Sequence, residues 1–470
     1  MIEAIHTGDI IEKIEVSGIT NEGQALARVD GFVIFVEDAV PGDIVDARVY
    51  RKKKKLAEAK LIKIHTPSPD RREPFCSHFG LCGGCTWQHL SYEKQLFYKQ
   101  QQVEDALVRI GKIQLREILP ILGSAKTKLY RNRLDYTFSN RRWLTSAELN
   151  TEISPQSNVV GFHVPKRFDK IFQLETCHLQ DNFSNIIRQA THDFAMANNF
   201  TYYDLRAHNG LMRNLVVRNS TSGEWMVLVV FGEDHEENRN AILNHLSTKF
   251  KEITSLLFAV NTKRNDSIFD QDIRLFSGKE FMHEKMDELS FKISAKSFYQ
   301  TNSGQAHELY KIVRDFAALT GKENVYDLYT GTGTIACFVA AKSAKVIGID
   351  YIPDAIRDAN ENAVANGISN AEFVAGDIKE TLTHYFIEKN GKPDVILTDP
   401  PRAGMHPDVV KKINECEPER IVYVSCNPST QARDLQILDS QYAVEKVQPV
   451  DMFPHTTHVE NVVLLHRRSK

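Results

Sequence analysis

From about residue 303 onward the chain alternates short strand patterns with helical ones, and this alternation constrains its fold more than any other feature. "NVYDLYT", "AKVIGID", "AEFVAGD", "PDVILTD", "RIVYVSC" and "NVVLLHR" are runs rich in apolar and β-branched residues, most of them followed by a helical pattern. Strands that are apolar along their whole length are buried on both faces, which requires helices above and below the sheet. The pattern therefore predicts an α/β domain with a doubly wound, mostly parallel sheet. Ligands of such sheets bind outside the carboxyl ends of the strands, so the residues that follow each strand carry the chemistry.

Those residues form a set. "VYDLYTGTGTIA" places Gly331 and Gly333 in the first strand-to-helix turn, where glycine lets the backbone approach a ligand closely. Asp350 ends the second strand 19 residues after Gly331, where a carboxylate can hold ribose hydroxyls, and a dinucleotide fold would present nearly the same pair. Asp377 follows the third strand, either as an acceptor for an adenine amino group or as a helix cap ahead of "IKETL". After the fourth strand "ILTDPPRAG" puts Asp399, two prolines and Arg402 over the cleft. A dehydrogenase has no need of so rigid a shelf there, whereas a nucleotide methyltransferase does, because proline fixes the backbone that holds a flat base against the methyl donor. The fifth strand runs into Cys426 in "VSCNPST", which read alone is a packed thiol and read with the shelf is a nucleophile at the rim of the sheet. Cys337 and Cys416 sit in helical stretches and read as packing residues.

Upstream, residues 1 to about 65 carry strand patterns ("KIEVSGIT", "QALARVD", "GFVIFVE", "DIVDARVYRK", "LAEAKLIKI") at the spacing of a small β-barrel. The net charge is −3, so overall charge marks no nucleic-acid binder, yet "RKKKK" at 51–55 and "RR" at 71–72 concentrate basic residues here. Residues 92–111 have helical periodicity with a glycine stop, and roughly 125–295 mix strand and helix patterns as an α+β region. "FCSHFGLCGGCTW" gives Cys76, Cys82 and Cys85, with Gly83 and Gly84 permitting a tight wrap, and Cys177 in "LETCHLQ" is the natural fourth ligand. Four thiolates suit a structural zinc ion or a cubane iron–sulfur cluster. The spacing differs from that of radical S-adenosylmethionine enzymes, which excludes that chemistry. "MIEAIHTGDI" does not read as a signal peptide, and no apolar run reaches a membrane span, so a cytoplasmic location away from membranes is expected.

Together these motifs resemble the RNA uracil-C5 methyltransferase family over nearly the whole chain. The barrel is similar to a TRAM domain, an RNA-binding module. "CSHFGLCGGC" with Cys177 resembles the ribosomal-RNA branch, in which the cysteines bind a [4Fe-4S] cluster, with zinc the less favoured occupant. "YRNRLDYTF" and "GLMRNLVVR" resemble middle-domain motifs, and "SFYQTN", "DLYTGTGTIA", "DPPRAG", "VSCNPST" and "HVENVVLL" follow the catalytic domain in order and spacing. The resemblance implies three domains: a barrel over 1–67, a middle α+β domain with the cysteine site over 68–295, and a Rossmann-like methyltransferase domain over 296–470.

By that resemblance Gln300, Tyr329, Asp350 and Asp399 line the S-adenosylmethionine site, with Gly331 and Asp377 following by position. Asp350 stands where many relatives have glutamate. Phe298 falls where an aromatic stacks on the flipped uracil, Asp399 also lies close to that base, and Arg402 is a candidate donor to its enolate oxygen. Cys426 is the nucleophile and Glu460 the base, with His458 the competing base because its ordinary pKa is nearer neutrality. The implied partner is RNA, ribosomal RNA ahead of transfer RNA, bound by a monomer with no DNA substrate. Two other classes remain: an N-methyltransferase acting on a base amino group, which needs no thiol, and a non-catalytic RNA-binding or assembly factor on a methyltransferase fold.

Overall fold

The computed structural model describes residues 5–20, 22–145, 148–149 and 151–469. Five strands, β1 (Ile10–Ile19), β2 (Ala25–Val29), β3 (Phe32–Glu37), β4 (Ile44–Lys53) and β5 (Leu56–Thr66), close into a barrel in the order β1-β2-β3-β5-β4. Alternate residues point inward, and the narrow interior is filled largely by alanine and valine, among them Ala47, Val49, Ala57 and Ala59. The basic run ends β4 and forms the exposed turn into β5, where Arg51 pairs with Glu58 at 3.2 Å. Asp43 of the barrel accepts from Arg71, Val40 N and Ser68 N and so ties the barrel to the segment that follows it.

Helix α1 (Tyr92–Asp105) continues through a π-helical turn at Ala106–Ile110 to Gly111, where the glycine stop is expected. It does not pack as an ordinary amphipathic helix. Its Gln95 and Lys99 are fully buried. Lys99 Nζ donates to Asp451 at 2.5 Å and to the carbonyl of Phe453 at 3.0 Å, and Tyr92 donates to the other Asp451 oxygen at 2.8 Å. Gln95 donates to His455 Nδ1 and accepts from the His455 backbone N–H at 2.8 Å. The two-residue strand β6 (Glu117–Ile118) then joins the edge of the C-terminal sheet.

The middle of the chain builds a seven-stranded sheet from β7 (Arg133–Ser139), β8 (Val159–Val164), β9 (Arg167–Gln173), β10 (Met212–Asn219), β11 (Trp225–Phe231), β12 (Ile253–Val260) and β13 (Ile273–Gly278). Its order is β13-β12-β11-β10-β7-β8-β9, and helices α2 (Asn182–Ala197) and α3 (Glu236–Lys249) contribute to the core beside it. A hairpin, β14 (Phe281–Met286) and β15 (Leu289–Ser294), leads out of it.

After helix α4 (Ser303–Ala317) comes the doubly wound part: β16 (Asn324–Leu328), α5 (Thr334–Ala340), β17 (Lys345–Asp350), α6 (Pro353–Ala365), β18 (Ala371–Ala375), α7 (Ile378–Thr381), α8 (His384–Asn390), β19 (Val395–Thr398), α9 (Pro407–Cys416), β20 (Arg420–Ser425), α10 (Pro428–Leu438), β21 (Tyr442–Val450) and β22 (Glu460–Arg467). The sheet order is β18-β17-β16-β19-β20-β22-β21-β6. The first five are parallel, and β22 inserts antiparallel to both neighbours. Alternate strand residues serve two different cores: Val325, Val346 and Val422 one face, Tyr326, Ile347 and Tyr423 the other. Cys337 lies in the first and Cys416 in the second. Strand order reverses between β16 and β19, which opens the ligand crevice at their carboxyl ends.

Lys99 and Asp451 have no exposed side-chain surface, and removing one partner leaves the other charge buried alone. Lys99→Met should therefore destabilise the chain by roughly 3–5 kcal/mol, read as a lower denaturant midpoint for the unfolding transition.

Candidate active site

The turn after β16 is shaped by three residues with positive φ: Tyr329 at 64°, Gly331 at 55° and Gly333 at 76°. A side chain at Gly333 would come within 2.9 Å of Ala359 and Phe373, so this glycine serves close packing. A side chain at Gly331 would meet nothing within 4 Å, which places Gly331 on open space, while its N–H donates to Asp350 Oδ2 at 3.0 Å. Asp350 Oδ1 accepts from Ile352 N at 2.9 Å. Each carboxylate oxygen has further acceptor capacity beyond the backbone bond it makes. Asp377 caps α7 through Lys379 N at 3.1 Å and pairs with Lys379 Nζ at 3.2 Å, so the cap reading describes its present contacts. Tyr329 lies near these carboxylates. Its hydroxyl is pushed up to about 12, first by burial and then by Asp434, Asp377 and Asp350.

The shelf after β19 is tied to the segment after β20. The Arg402 carbonyl accepts from Asn427 Nδ2 at 3.2 Å and from Thr430 Oγ1 at 3.3 Å. Cys426 follows β20, half-buried, and Glu460 opens β22 with 5% of its surface exposed. The β20–β22 pairing ends with Ser425 opposite Asn461, the residues next to Cys426 and Glu460, and the Glu460 carboxyl is close enough to act on the Cys426 thiol. Burial is the main influence on all the acids here. It pushes the Cys426 thiol up to about 12, reinforced by Glu460 and Asp399 and opposed by Arg402. It pushes Asp399 up to about 7 and holds Glu460 well above the usual carboxylate range, with Asp399 adding to the latter.

His458 accepts from Arg402 Nη2 through Nδ1 at 3.0 Å. Desolvation and then the Arg402 guanidinium lower its pKa to about 4. A neutral imidazole whose Nδ1 lone pair is occupied carries its hydrogen on the other nitrogen, so it offers no free basic site.

Sequence reasoning missed two members of this group. Asp327 lies beneath the glycine turn, accepts from Thr330 Oγ1 at 2.6 Å, and is raised to about 7, chiefly by burial. Tyr310 is buried within the fields of Asp399, Asp327 and Glu460, which with burial hold its hydroxyl well above its ordinary value. An aspartate in the middle of "VYDLY" carries a local signal, being a charge inside an apolar strand, whereas Tyr310 reads only as a helix core residue. Phe298 and Gln300 come from a separate stretch between β15 and α4: Phe298 is 69% exposed, while its neighbours Tyr299 and Gln300 are buried.

The four cysteines form a second group. Cys76, Cys82, Cys85 and Cys177 all line one cavity of about 290 Å3. Burial pushes Cys82 up to about 12 and Cys85 up to about 11, and raises Cys177. Gly84 N donates to Cys82 Sγ at 3.3 Å, and Asn185 of α2 holds the Cys177 backbone through both its N–H and its carbonyl. Two cations act on the thiols: Arg131 on Cys85 and Cys177, and buried Arg188, whose Nε and Nη1 have no hydrogen-bond partner, on Cys177. Among the described residues no three His, Cys, Asp or Glu side chains are drawn together as the ligands of a metal ion. Just past Cys85, the N–H groups of Thr86 and Trp87 both donate to the carbonyl of His455, at 2.8 and 3.0 Å.

Residues 206–468 match the family described as tRNA (Uracil-5-)-methyltransferase, and residues 11–62 match the TRAM domain. A protein of Bacteroides thetaiotaomicron named as an RNA methyltransferase is 58% identical over 95% of this chain and 99% of its own length. One of Porphyromonas gingivalis, also named as an RNA methyltransferase, is 52% identical over 97% of this chain and 100% of its own. Among solved structures, a Pyrococcus abyssi tRNA (uracil-54, C5)-methyltransferase in complex with S-adenosyl-L-homocysteine superposes with a TM-score of 0.75 at 29% identity, over 96% of this chain and 100% of that one. Among the described residues no helix is long and apolar enough to cross a membrane.

The buried carboxyls set a pH dependence. Asp327 and Asp399 hold their protons up to about 7 in the fold, but release them near 4 when unfolded. Within that window the unfolded chain binds fewer protons, so stability falls as pH rises. Asp399→Asn removes one of these groups and should flatten the fall, measured as unfolding free energy at about pH 5 and about pH 8.

Proposed function

The chain belongs to the tRNA (uracil-5-)-methyltransferase family and is an S-adenosylmethionine-dependent RNA uracil-C5 methyltransferase; on that premise we propose that it methylates a uridine of 23S ribosomal RNA through a covalent adduct between Cys426 and uracil carbon 6. The observation that carries the mechanism is that the paired strands β20 and β22 bring Cys426, just past the end of one, near Glu460 at the start of the other, with Asp399 and Arg402 acting on both. Carbon 5 of uracil is a weak nucleophile. Addition of the Cys426 thiolate to carbon 6 moves an electron pair into the ring and makes carbon 5 an enolate carbon. S-adenosylmethionine supplies the electrophilic methyl group that carbon 5 then takes. Glu460 removes the carbon 5 proton, and the electron pair of that C–H bond expels the thiolate and restores the ring double bond. Burial raises the basicity of Glu460, which suits it to take that proton once ionised.

A thiol at about 12 ionises only with help, and Arg402 is the cation that favours its thiolate. With Arg402 bonded to His458, we assign the base to Glu460 and give His458 the role of orienting the guanidinium. Gln300, Tyr329, Gly331, Asp350 and Asp377 are assigned to the cofactor, Asp399 to both cofactor and base, and Phe298 to stacking on the flipped uracil. Extruding that base takes a few kcal/mol and is easiest in an RNA loop.

The four thiols are assigned a [4Fe-4S] cluster. They surround a cavity rather than converge on one point, and the cations Arg131 and Arg188 offset the negative charge of a cluster held by four thiolates. Its role is structural, joining the segment after the barrel to the middle sheet. The cysteine site and the TRAM barrel favour ribosomal RNA through the resemblance of both to the ribosomal branch. The second reading is transfer RNA, favoured by the likeness to the Pyrococcus abyssi tRNA (uracil-54, C5)-methyltransferase.

Four measurements test this reading. Cys426→Ala should abolish methylation, and retained activity overturns the covalent mechanism. Glu460→Gln should accumulate a methylated RNA–enzyme adduct resistant to denaturation, whereas normal turnover moves the base elsewhere. Anaerobically purified protein should be brown and contain iron and sulfide; colourless protein containing zinc overturns the cluster assignment. Mapping 5-methyluridine in ribosomal and transfer RNA from cells with and without the gene decides the substrate.

A further inference from the structure

Two motifs of the middle region, "YRNRLDYTF" and "GLMRNLVVR", contribute no residue to the cleft that holds Cys426 and Glu460, yet each buries a polar side chain at the same end of the seven-stranded sheet. Arg218 near the end of β10 is 4% exposed and Asn132 just before β7 is 7% exposed. The strands pair with Arg218 opposite Arg133, and Asn219 N donates to the Asn132 carbonyl at 3.0 Å, so the two residues are neighbours. Both reach the segment that carries Phe298 and Gln300. Arg218 spans it with its fork, Nη1 donating to the carbonyl of Ser294 at 3.2 Å and Nη2 to that of Ser297 at 2.9 Å. Asn132 Nδ2 donates to the carbonyl of Gln300 at 2.9 Å and to Ser303 Oγ at 2.8 Å, and its N–H donates to the carbonyl of Thr301.

A guanidinium this deeply buried is expected to sit against a carboxylate. Among the described residues none forms an ion pair with Arg218, and its Nε has no partner. Among the described residues two backbone carbonyls are its hydrogen-bond acceptors, and Asp135 reaches it only through its field. Ser303 passes the constraint on, donating to buried Glu284 at 2.8 Å, and Asn302 donates to the carbonyl of Met452 in the loop that leads to Glu460. The segment 294–303 is thus held at both ends and in its middle, and the exposed ring of Phe298 rises from an otherwise clamped stretch.

We propose that Arg218 and Asn132 are positioning residues for methyl transfer: acting from the middle sheet, they fix the backbone of residues 294–303 so that Phe298 and Gln300 are presented to the base and the cofactor. The inference rests on the assignment of Phe298 and Gln300 made above. A displacement of about 1 Å in a positioning element lowers rate on the order of 100-fold, and a loss of that size in kcat/KM is expected for Arg218→Met.

The experiment is a double-mutant cycle on the full-length enzyme. Phe298→Ala, Gln300→Ala, Arg218→Met and Asn132→Ala are assayed singly, and Phe298→Ala is combined with each clamp variant. Cofactor affinity is measured by calorimetry and base capture by covalent adduct yield. If the clamp acts through Phe298, Phe298→Ala adds little in the Arg218→Met background. Arg218→Lys, which keeps the charge but not the fork, should recover only part of the lost activity. Independent, multiplying effects in both backgrounds overturn the proposal. If Arg218→Met is insoluble, the Asn132→Ala cycle decides by the same criterion. Should Phe298→Ala and Gln300→Ala alone leave adduct yield and cofactor affinity unchanged, the assignment beneath the proposal fails instead, and that outcome is read from the single variants.

Discussion

The buried ion pair of Lys99 and Asp451 connects residues 352 apart in the chain, and it anchors the start of the loop that leads to Glu460. Glu460 enters its strand from residues 451–459, a stretch without regular structure that bridges β21 and β22. Left to itself such a loop is mobile. Here its backbone is held by Lys99 at Phe453, by Tyr130 at Pro454, by Thr86, Trp87 and Gln95 at His455, and by Asn302 at Met452. The first third of the chain is therefore part of the frame that holds the loop leading to Glu460. An ion pair without solvent contributes little net stability, and what it supplies here is a single geometry for the loop.

Much of this arrangement is legible in the sequence because its signals are local. Apolar runs separated by helical patterns declare the doubly wound sheet, and Gly331, Asp350, Asp399 and Cys426 lie at or just past the carboxyl ends of its strands, where those patterns place them. The cysteine spacing likewise grouped Cys76, Cys82 and Cys85, and the lone upstream Cys177 joins them at the same cavity. Burial of polar side chains was not legible. Gln95 and Lys99 look like the wet side of a helix, and Arg218 looks like a strand-edge cation, because their partners lie far away in sequence. The strand β6, two residues long, carries no periodicity at all and exists only because the edge of β21 is there to pair with it. The insertion of β22 between β20 and β21 escaped for the same reason: an apolar run states that a strand is buried, but not which neighbour it takes or in which direction.

The electrostatics of the site follow from its depth. Three carboxyls, Asp327, Asp399 and Glu460, share a region with one thiol and one guanidinium, and burial resists ionisation of each acid. An approaching cation reverses that balance, since a positive charge within a few ångströms favours the ionised form. A sulfonium cofactor thus suits a cleft whose negative charge develops on binding. The basic residues at the tip of the barrel hairpin stay on the outer surface.

The antiparallel pairing of β20 with β22 has an evolutionary consequence. Because the ladder of β20 and β22 ends on Ser425 and Asn461, the residues beside Cys426 and Glu460, the alignment of that pair is counted in whole residues. Point substitutions along either strand can drift while the count is kept. A single inserted or deleted residue within β22 would shift the ladder by one rung and turn every side chain to the opposite face. Lineages that carry this chemistry are thus expected to vary in the loops that flank the two strands while the strands themselves keep their length.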